Sequence, residues 1–293
     1  MTTPKIELYK MRDFGQKLNA TIEFIRANFK KLFTTLLFVA GPTALIMGIV
    51  MKQFMGFFMG MSANPGNPAI LDDLPTLFTN YFVMFLVSIF ASIMLSLTTY
   101  AFMELYSQKE ASEFSAMDVL RNALSRFAST FLLTILVGIT LFISVFFFFL
   151  PALYFGVVLS LAIPILYFEK VSPVEAYRRA FTLIKDKWWS TFGLLFISVM
   201  ISYVVSMIFS VPFYAVYMFE LVGVVDKINT DPSAFTNIFS SWYMAISMVI
   251  LGVGGYLSYS IPLIALGFQY FNLAERNSAP GLINKIQDFE NIQ

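Results

Sequence analysis

The chain has 293 residues, of which 58% are hydrophobic and only 13% are charged. Water-soluble domains carry about 25% charged residues, so this composition indicates a surface that faces lipid. The formal net charge of +1 excludes a strongly basic nucleic-acid-binding protein. The chain has no cysteine and no histidine, which removes disulfides, thiolate nucleophiles and the commonest general base. We therefore expect no catalytic residue, no bound cofactor and no metal ligand, and we predict that the protein is not an enzyme.

The N-terminal region is basic and precedes the first apolar stretch. It carries seven Lys and Arg residues before Leu32 and lacks the apolar core of roughly 7–15 residues that a cleavable signal requires. Helical spacing places five apolar residues on one stripe, with the polar residues pointing away from it. The stripe is Phe14, Leu18, Ile22, Ile25 and Phe29, and the polar residues are Lys17, Asn19, Arg26 and Lys30.

Six later stretches are long and apolar enough to cross a bilayer, which takes about 20 residues each. They are Leu32–Phe54, Leu77–Met103, Phe131–Leu150, Ala152–Phe168, Phe192–Phe219 and Trp242–Phe271. The third and fourth stretches meet at Leu150-Pro151, where a proline cannot continue the helix. One long kinked helix is the alternative, but residues 131–168 are too long for one crossing. We therefore predict two crossings with a tight turn at the far face.

The distribution of Lys and Arg predicts the orientation. Seventeen of the nineteen basic residues lie before Leu32, in residues 104–127, in residues 169–189 or in the C-terminal tail, and only Lys52 and Lys227 lie on the other side. The positive-inside rule places the seventeen in the cytoplasm. We expect a multi-pass protein of the bacterial cytoplasmic (inner) membrane with both termini in the cytoplasm and short outer loops.

Two segments repeat each other at a constant offset of 57 residues. They start at Ser115 and Ser172, and an acidic residue follows each serine after three positions, which is the pattern of a helix-starting capping box. Each segment then has an apolar stripe and leads through Ser-Thr-Phe into a membrane span. The stripes are Met117, Leu120, Leu124 and Phe127 in the first segment, and Val174, Tyr177, Phe181, Ile184 and Trp188 in the second.

With the N-terminal stripe as a weaker third copy, the pattern predicts an all-α polytopic membrane helix bundle. About six transmembrane helices form three repeated units, each preceded by an amphipathic interfacial helix at the cytoplasmic face. The units cover about residues 12–106, 113–169 and 170–275 of a single membrane domain, 1–293, and residues 276–293 form a short cytoplasmic tail. Units two and three also share Ala162-Ile-Pro164 and Ser260-Ile-Pro262. Repeats of one orientation should superpose by rotation about the membrane normal.

Two sets of polar residues are candidates for function. Basic residues beside the interfacial helices are suited to contact lipid headgroups, although topology alone also explains them: Arg121, Arg126, Arg178, Arg179, Lys185 and Lys187. Serines spaced by four form either helix-packing seams or a polar wall along a substrate path: Ser88, Ser92 and Ser96, and Ser198, Ser202, Ser206 and Ser210. Packing is favoured because the sequence places no ionisable residue inside a span and shows no convergent polar groups.

One stretch of the chain supports a family resemblance. Residues 178–195, which read Arg-Arg-Ala-Phe-Thr-Leu-Ile-Lys-Asp-Lys-Trp-Trp-Ser-Thr-Phe-Gly-Leu-Leu, and the ending Gln269-Tyr-Phe-Asn-Leu-Ala-Glu-Arg276 resemble the membrane domain found beside some bacterial glycerophosphodiester phosphodiesterases. Stand-alone relatives of that domain are typically of unknown function. The phosphodiesterase domain itself is absent, so the resemblance implies an architecture and no activity.

Two functions from different classes fit the sequence. The first is a scaffold or accessory subunit of a larger membrane complex, with the bilayer and other membrane proteins as partners and no nucleic acid. The second is a small-molecule or lipid transporter or channel. Its support is the repeats, the serine stripes and four prolines that interrupt spans at positions 42, 164, 212 and 262, because broken helices build substrate sites in transporters.

Overall fold

The computed structural model describes residues 5–39, 41–43, 45–46, 48–50, 69–109, 113–147, 149–225, 238–281 and 283. These residues form helices and turns, and no strand occurs among them, which confirms the all-α prediction. The helices are α1 Phe14–Val39, α2 Gly41–Val50, α3 Ala69–Gln108, α4 Ala116–Ser125, α5 Phe127–Phe146, α6 Phe149–Leu159, α7 Ala162–Glu169, α8 Pro173–Leu183, α9 Trp188–Val224, α10 Trp242–Ser258 and α11 Ser260–Ser278. A short 3-10 turn, Ile238–Ser240, precedes α10.

Five helical runs of the described chain are long and apolar enough to cross a membrane, and α1 with α2 makes a sixth if that bent pair counts as one span. The five are Phe78–Gln108, Phe127–Phe146, Phe149–Glu169, Trp188–Val224 and Trp242–Ser278. This finding confirms a multi-pass helical membrane protein with about six apolar spans. Residues 131–168 form two helical arms rather than one long helix, since α5 ends at Phe146 and α6 begins at Phe149. The predicted end of the first span, Phe54, lies outside the described residues.

The two serine–acid pairs expected from the sequence start α4 and α8, and the capping box is complete at α4. The Ser115 hydroxyl accepts a hydrogen bond from the Asp118 backbone N–H at 3.2 Å, and the Asp118 carboxylate accepts one from the Ser115 N–H at 2.8 Å. The bonds that the Asp118 carboxylate accepts from the Ser115 N–H and hydroxyl lower the pKa of Asp118. At α8, the Ser172 hydroxyl accepts a bond from the Glu175 N–H at 3.3 Å. Both helices end before the next span, α4 at Ser125 and α8 at Leu183, which is followed by a turn that contains Asp186 with a positive φ.

The N-terminal segment differs from the prediction in two ways. Helix α1 runs without interruption from Phe14 through Leu32 to Val39, so the prediction of a separate interfacial helix before the first span is wrong. Nothing between these residues breaks a helix, since the segment contains no proline and its only glycine lies in the first turn. The buried side of α1 is also the side that carries Lys17, Thr21 and Asn28.

In all three amphipathic helices the buried face is rich in small or polar residues, although Phe24 and Leu183 are buried there too, and several large apolar residues face outward. In α4, Val119 and Ala123 are buried whereas Met117 and Leu124 are exposed. In α8 the buried residues include Ala176 and Ala180, and Val174 is exposed, while Phe14 and Phe29 of α1 are exposed as well. Small side chains let helix backbones approach closely, and the exposed bulky residues are left for lipid. This arrangement suits an interfacial position, which stays a prediction, as does superposition of the units.

By contacts, the chain divides into two compact units, neither of which follows the repeat boundaries. The first contains residues 1–39, 93–202 and 259–293. Its core is built around α11, in which every residue from Ile264 to Ala274 is buried. Phe24 of α1 packs edge-on against Phe102, Tyr106 and Phe268 with ring centroids 4.9–6.1 Å apart. Such pairs add about 0.5–1.5 kcal/mol each beyond area burial.

The second unit contains residues 40–92 and 203–258. The buried side chains Ile238, Phe239, Met244 and Met248 form its described core, against which the partly buried Phe213, Val216, Tyr217, Leu221 and Val224 of α9 pack. The Tyr256 hydroxyl donates to the Ala91 carbonyl at 2.7 Å and lies 3.1 Å from the Thr43 hydroxyl. These bonds fasten α10 to α2 and α3.

Three prolines show that sequence context decides where a helix breaks. Helix α7 begins at Ala162 and α11 begins at Ser260, so Pro164 and Pro262 occupy the same third position of a new helix. A proline at this position cannot donate a hydrogen bond to the carbonyl four residues earlier. The preceding helix ends close to that carbonyl in both cases, α6 at Leu159 and α10 at Ser258. Pro212 lies inside the continuous helix α9, so the prediction that it interrupts its span is wrong.

Candidate functional site

A buried polar cluster joins the starts of α1 and α9 to the middle of α11. The Lys17 side chain is only 2% exposed, and its Nζ donates to Gln269 Oε1 at 2.6 Å and to Ser190 Oγ at 3.0 Å. Gln269 Nε2 donates to Thr191 Oγ1 at 2.8 Å. We call Lys17, Ser190, Thr191 and Gln269 the Lys17 cluster.

The Lys17 cluster corrects the sequence interpretation. The sequence predicts that Lys17 points away from the apolar stripe of α1 and that no polar groups converge, and Lys17 does lie opposite the exposed Phe14 and Phe29, but the structure buries its charge in a polar cluster. One signal was present in the sequence: Gln269 and Asn272 stand one turn apart in an otherwise apolar helix. A buried amide needs partners, which predicts a polar neighbour but does not identify it.

Arg12 extends the buried polar region toward the end of α11. Its backbone N–H donates to Asn272 Oδ1 at 2.7 Å, and its guanidinium donates to the carbonyls of Leu8 and Glu7. The same guanidinium lies 5.2 Å from the centre of the Phe268 ring. Burial lowers the pKa of Arg12. The N-terminal segment is thereby held against α11 by the Arg12 backbone N–H and the Lys17 ammonium, each of which donates to a neutral side-chain oxygen of α11.

The chemistry of the Lys17 cluster is that of a satisfied interior network. Within the described residues Lys17 makes no ion pair, and its hydrogen-bond acceptors are neutral oxygens. Nearby Arg276 and Lys187 act against its charge, while Asp13 favours it. An enclosed ammonium that already donates to two acceptors is not presented to a substrate. The arrangement therefore holds α1, α9 and α11 together.

A second group of charges lies where α5 begins and α7 ends. Glu104 accepts a hydrogen bond from Asn122 Nδ2 at 3.0 Å and pairs with Lys170 Nζ at 3.5 Å. Arg179 Nε lies 3.3 Å from Glu169 Oε2. These contacts connect α3, α4, α7 and α8. Glu169 is the last residue of α7, and Glu104 lies one turn before the end of α3.

The predicted headgroup residues do not converge on one site. Arg121, Arg178 and Lys185 are exposed, whereas Arg126, Arg179 and Lys187 are partly buried. They lie at separate places along α4, α8 and the turns that follow these helices. Arg179 is already paired with Glu169. Their contact with lipid headgroups stays a prediction.

The serine stripes are partly buried, and most of their hydroxyls bond within their own helix. Ser96, Ser198 and Ser202 are buried, Ser88, Ser206 and Ser210 are partly buried, and Ser92 is exposed. The hydroxyls of Ser88, Ser92, Ser198, Ser206 and Ser210 donate to carbonyls three or four residues earlier at 2.7–3.0 Å. Hydroxyls used in this way favour the packing interpretation over a polar wall.

We expect Ser202→Leu to lower stability by about 1–3 kcal/mol through overpacking, and Ser202→Ala to have a much smaller effect. The matched control is Ser206→Leu on the same stripe, which should be tolerated because Ser206 is only partly buried. The thermal unfolding midpoint in detergent measures all three. Equal damage from alanine and leucine at position 202 would show that the hydroxyl matters, which would favour the transport interpretation.

The structure also shows an open cleft of about 480 Å³ between α5 and α6. Its lining is almost entirely apolar, and the two hydroxyls in it are engaged, since Ser144 donates to the Thr140 carbonyl at 2.6 Å and Thr140 lies 3.1 Å from the Tyr177 hydroxyl. The lining residues are Ile139, Thr140, Ile143, Ser144, Phe147, Pro151 and Phe155. Such a cleft suits an apolar ligand.

Helices of this length and hydropathy define a multi-pass α-helical membrane protein. Within the part of the chain that the structure describes, no group of three or more Asp or Glu residues is placed to hold a metal ion. Comparison with protein-family models, with curated proteins and with solved structures found no match.

Proposed function

We propose that this chain is a non-enzymatic membrane protein that serves as a scaffold or accessory subunit of a larger membrane complex. The observation that carries the proposal is the use of the buried polar groups. Lys17, Ser190, Thr191 and Gln269 bond to one another, and the cleft between α5 and α6 is apolar. Polar residues in this chain hold helices together, which is the requirement of a structural subunit.

Native co-purification with mass spectrometry tests this proposal. The full chain with a C-terminal affinity tag is isolated from its own membrane in a mild detergent, and we expect a membrane protein partner in stoichiometric amount. A Gly255→Ala variant, which is expected to fold, should retain the partner. A Gly254→Ala variant, which is expected to fold poorly, should lose the partner. Proteins that still co-purify with this variant are chaperones that bind any unfolded chain. A clean monomer without a partner would contradict the proposal.

A transporter or channel is the second candidate, and one observation favours it. Lys17 is a buried ionisable residue, and such residues in membrane proteins mark ion or substrate pathways. The test is flux of a panel of small ions and metabolites into liposomes that contain the purified chain. Flux that Lys17→Met abolishes without loss of folding would establish this function, and the absence of flux in the unmodified protein would exclude the tested substrates.

We further propose that the chain is a relative of the phosphodiesterase-associated membrane domain, located in a bacterial inner membrane. We expect both termini in the cytoplasm, because seventeen of nineteen basic residues lie on one predicted side. An alkaline phosphatase fused at Gln293 should be inactive, since it folds only outside the cytoplasm. The matched control is the same enzyme fused at Asn67 in a predicted outer loop, which should be active. The reverse pattern would overturn the topology.

A further inference from the structure

The turn between α5 and α6 has an unusual surface. We call α5, α6 and α7 the hairpin, and Phe146, Phe147, Phe149 and Leu150 its tip. The four tip side chains are between 68% and 73% exposed. Turns that face water are usually built from Gly, Asn, Asp, Ser or Pro, and residues 127–168 contain no charged side chain at all. The tip therefore requires apolar surroundings.

Helix α8 follows the hairpin from its base toward its tip. Later residues of α8 and of the turn after it contact hairpin residues progressively nearer the tip. The contacts are Arg179 with Glu169 at 3.3 Å, the Phe181 ring with the Phe155 ring at 6.1 Å, and Trp188 Nε1 with the Tyr154 carbonyl at 3.3 Å. The Trp188 and Tyr154 rings are also stacked, with centroids 6.1 Å apart.

The residues where α8 and the following turn come nearest to the tip are of the types that lie at a membrane–water interface. Lys185, Asp186 and Lys187 directly precede Trp188, and the first two are exposed. A charged side chain at the bilayer centre costs at least about 2.5 kcal/mol, whereas Trp and Tyr concentrate where lipid meets water. Tyr154 follows the tip residue Leu150 by only four helical residues, which is about 6 Å of rise. The tip is consequently close to an interface that charged residues mark.

The base of the hairpin, where α7 ends at Glu169, also lies beside charged residues. Lys170 pairs with Glu104 at 3.5 Å and Arg179 pairs with Glu169 at 3.3 Å. The hairpin is about 20 residues long, or about 30 Å, which equals the thickness of the hydrocarbon core. If it crossed, its tip would lie a full bilayer away from the charges at its base. Instead α8 and the segment after it bring charges alongside the whole hairpin.

We propose that the hairpin does not cross the bilayer but lies in the leaflet that holds Lys185 and Lys187, where its apolar surface binds lipid acyl chains. The surface is made mainly of bulky Phe, Ile and Leu side chains, and its exposed small residues, Ala128 and Gly138, stand too far apart to form the regular small-residue seam of close helix packing. The cleft between α5 and α6 provides an apolar groove for such a chain. Four crossings then remain, and this even number keeps both termini on one side. The proposal holds for a scaffold and for a transporter alike.

The chain contains no cysteine, so single-cysteine variants test the proposal directly. Phe149→Cys changes an exposed side chain of the tip, and Lys185→Cys serves as a reference for the leaflet that holds the charges. Each full-length variant is labelled with a small fluorophore and reconstituted in vesicles with nitroxide lipids in one leaflet only. In whole cells, a membrane-impermeant maleimide is applied from outside to Phe149→Cys and to Asn64→Cys, which lies in a predicted outer loop.

We expect the same nitroxide leaflet to quench both fluorophores. We also expect the outside maleimide to label Phe149→Cys at least tenfold more slowly than Asn64→Cys. Quenching of the two fluorophores from opposite leaflets, or equal labelling from outside, would overturn the proposal. A benzophenone on Phe147→Cys should form adducts with lipid, and adducts with a protein helix would overturn the assignment of acyl chains as the partner. Gel filtration confirms that each variant is folded.

Discussion

Replacing Gly254 by alanine should destabilise the protein strongly, whereas the same change at the adjacent Gly255 should not. A Cβ atom at position 254 would overlap the Phe209 side chain at its Cβ and first ring atoms, which lie close to the α9 backbone and cannot easily move. At position 255 no atom lies within 4 Å of the new Cβ. Overpacking costs about 1–3 kcal/mol, and we expect the upper end of that range because the helices themselves must separate.

The thermal unfolding midpoint of the purified chain in detergent measures this effect. Gly255→Ala should leave the midpoint unchanged or raise it, because alanine favours a helix interior by about 1 kcal/mol relative to glycine. Both variants carry the same change in the same helix, so helix propensity and lost backbone freedom cancel in the comparison. Indistinguishable midpoints would show that α9 and α10 do not pack as closely as the structure has them.

The second large effect is expected at the Lys17 cluster. Gln269→Leu removes the acceptor at 2.6 Å from Lys17 Nζ and the donor to Thr191, which leaves a buried ammonium with the Ser190 hydroxyl. Removing one partner of a buried charge costs about 3–5 kcal/mol. We therefore expect Gln269→Leu to lower the yield of folded protein and its unfolding midpoint severely.

Two further variants separate charge from shape at this position. Gln269→Glu supplies a carboxylate to Lys17 and should retain most of the stability. The double variant Lys17→Met with Gln269→Leu removes the charge together with its acceptor and should recover a large part of the loss, because an apolar pair of similar volume replaces the polar one. If the double variant were as unstable as the sum of the single variants, Lys17 and Gln269 would not be coupled.

Local signals in the sequence predicted local features of the fold. The serine–acid pairs at Ser115 and Ser172 predicted the starts of α4 and α8, because the bond from a capping serine to its helix is made within four residues. Hydropathy predicted the apolar helices, since about 20 residues suffice to fill a bilayer core. These features need no knowledge of the rest of the chain.

Features that depend on a distant partner could not be predicted in the same way. Periodicity predicted that Lys17 lies away from the apolar stripe of α1, but it could not predict that the rest of the protein covers that face and buries the charge. Its acceptor, Gln269, is 252 residues away in the chain. Gly254 and Gly255 are likewise equivalent in sequence, and only the position of Phe209 distinguishes them. Such differences arise when helices meet.

The long sequence separation of these contacts has a consequence for synthesis on the ribosome. Lys17 is made 252 residues before its acceptor Gln269. At about 5–20 residues per second, the Lys17 ammonium waits roughly 13–50 s for this permanent acceptor. During that interval water, lipid headgroups or a chaperone must solvate it. A ribosome that stalls before α11 would release a chain whose Lys17 lacks this acceptor, which gives proteolytic quality control a means of recognising incomplete copies.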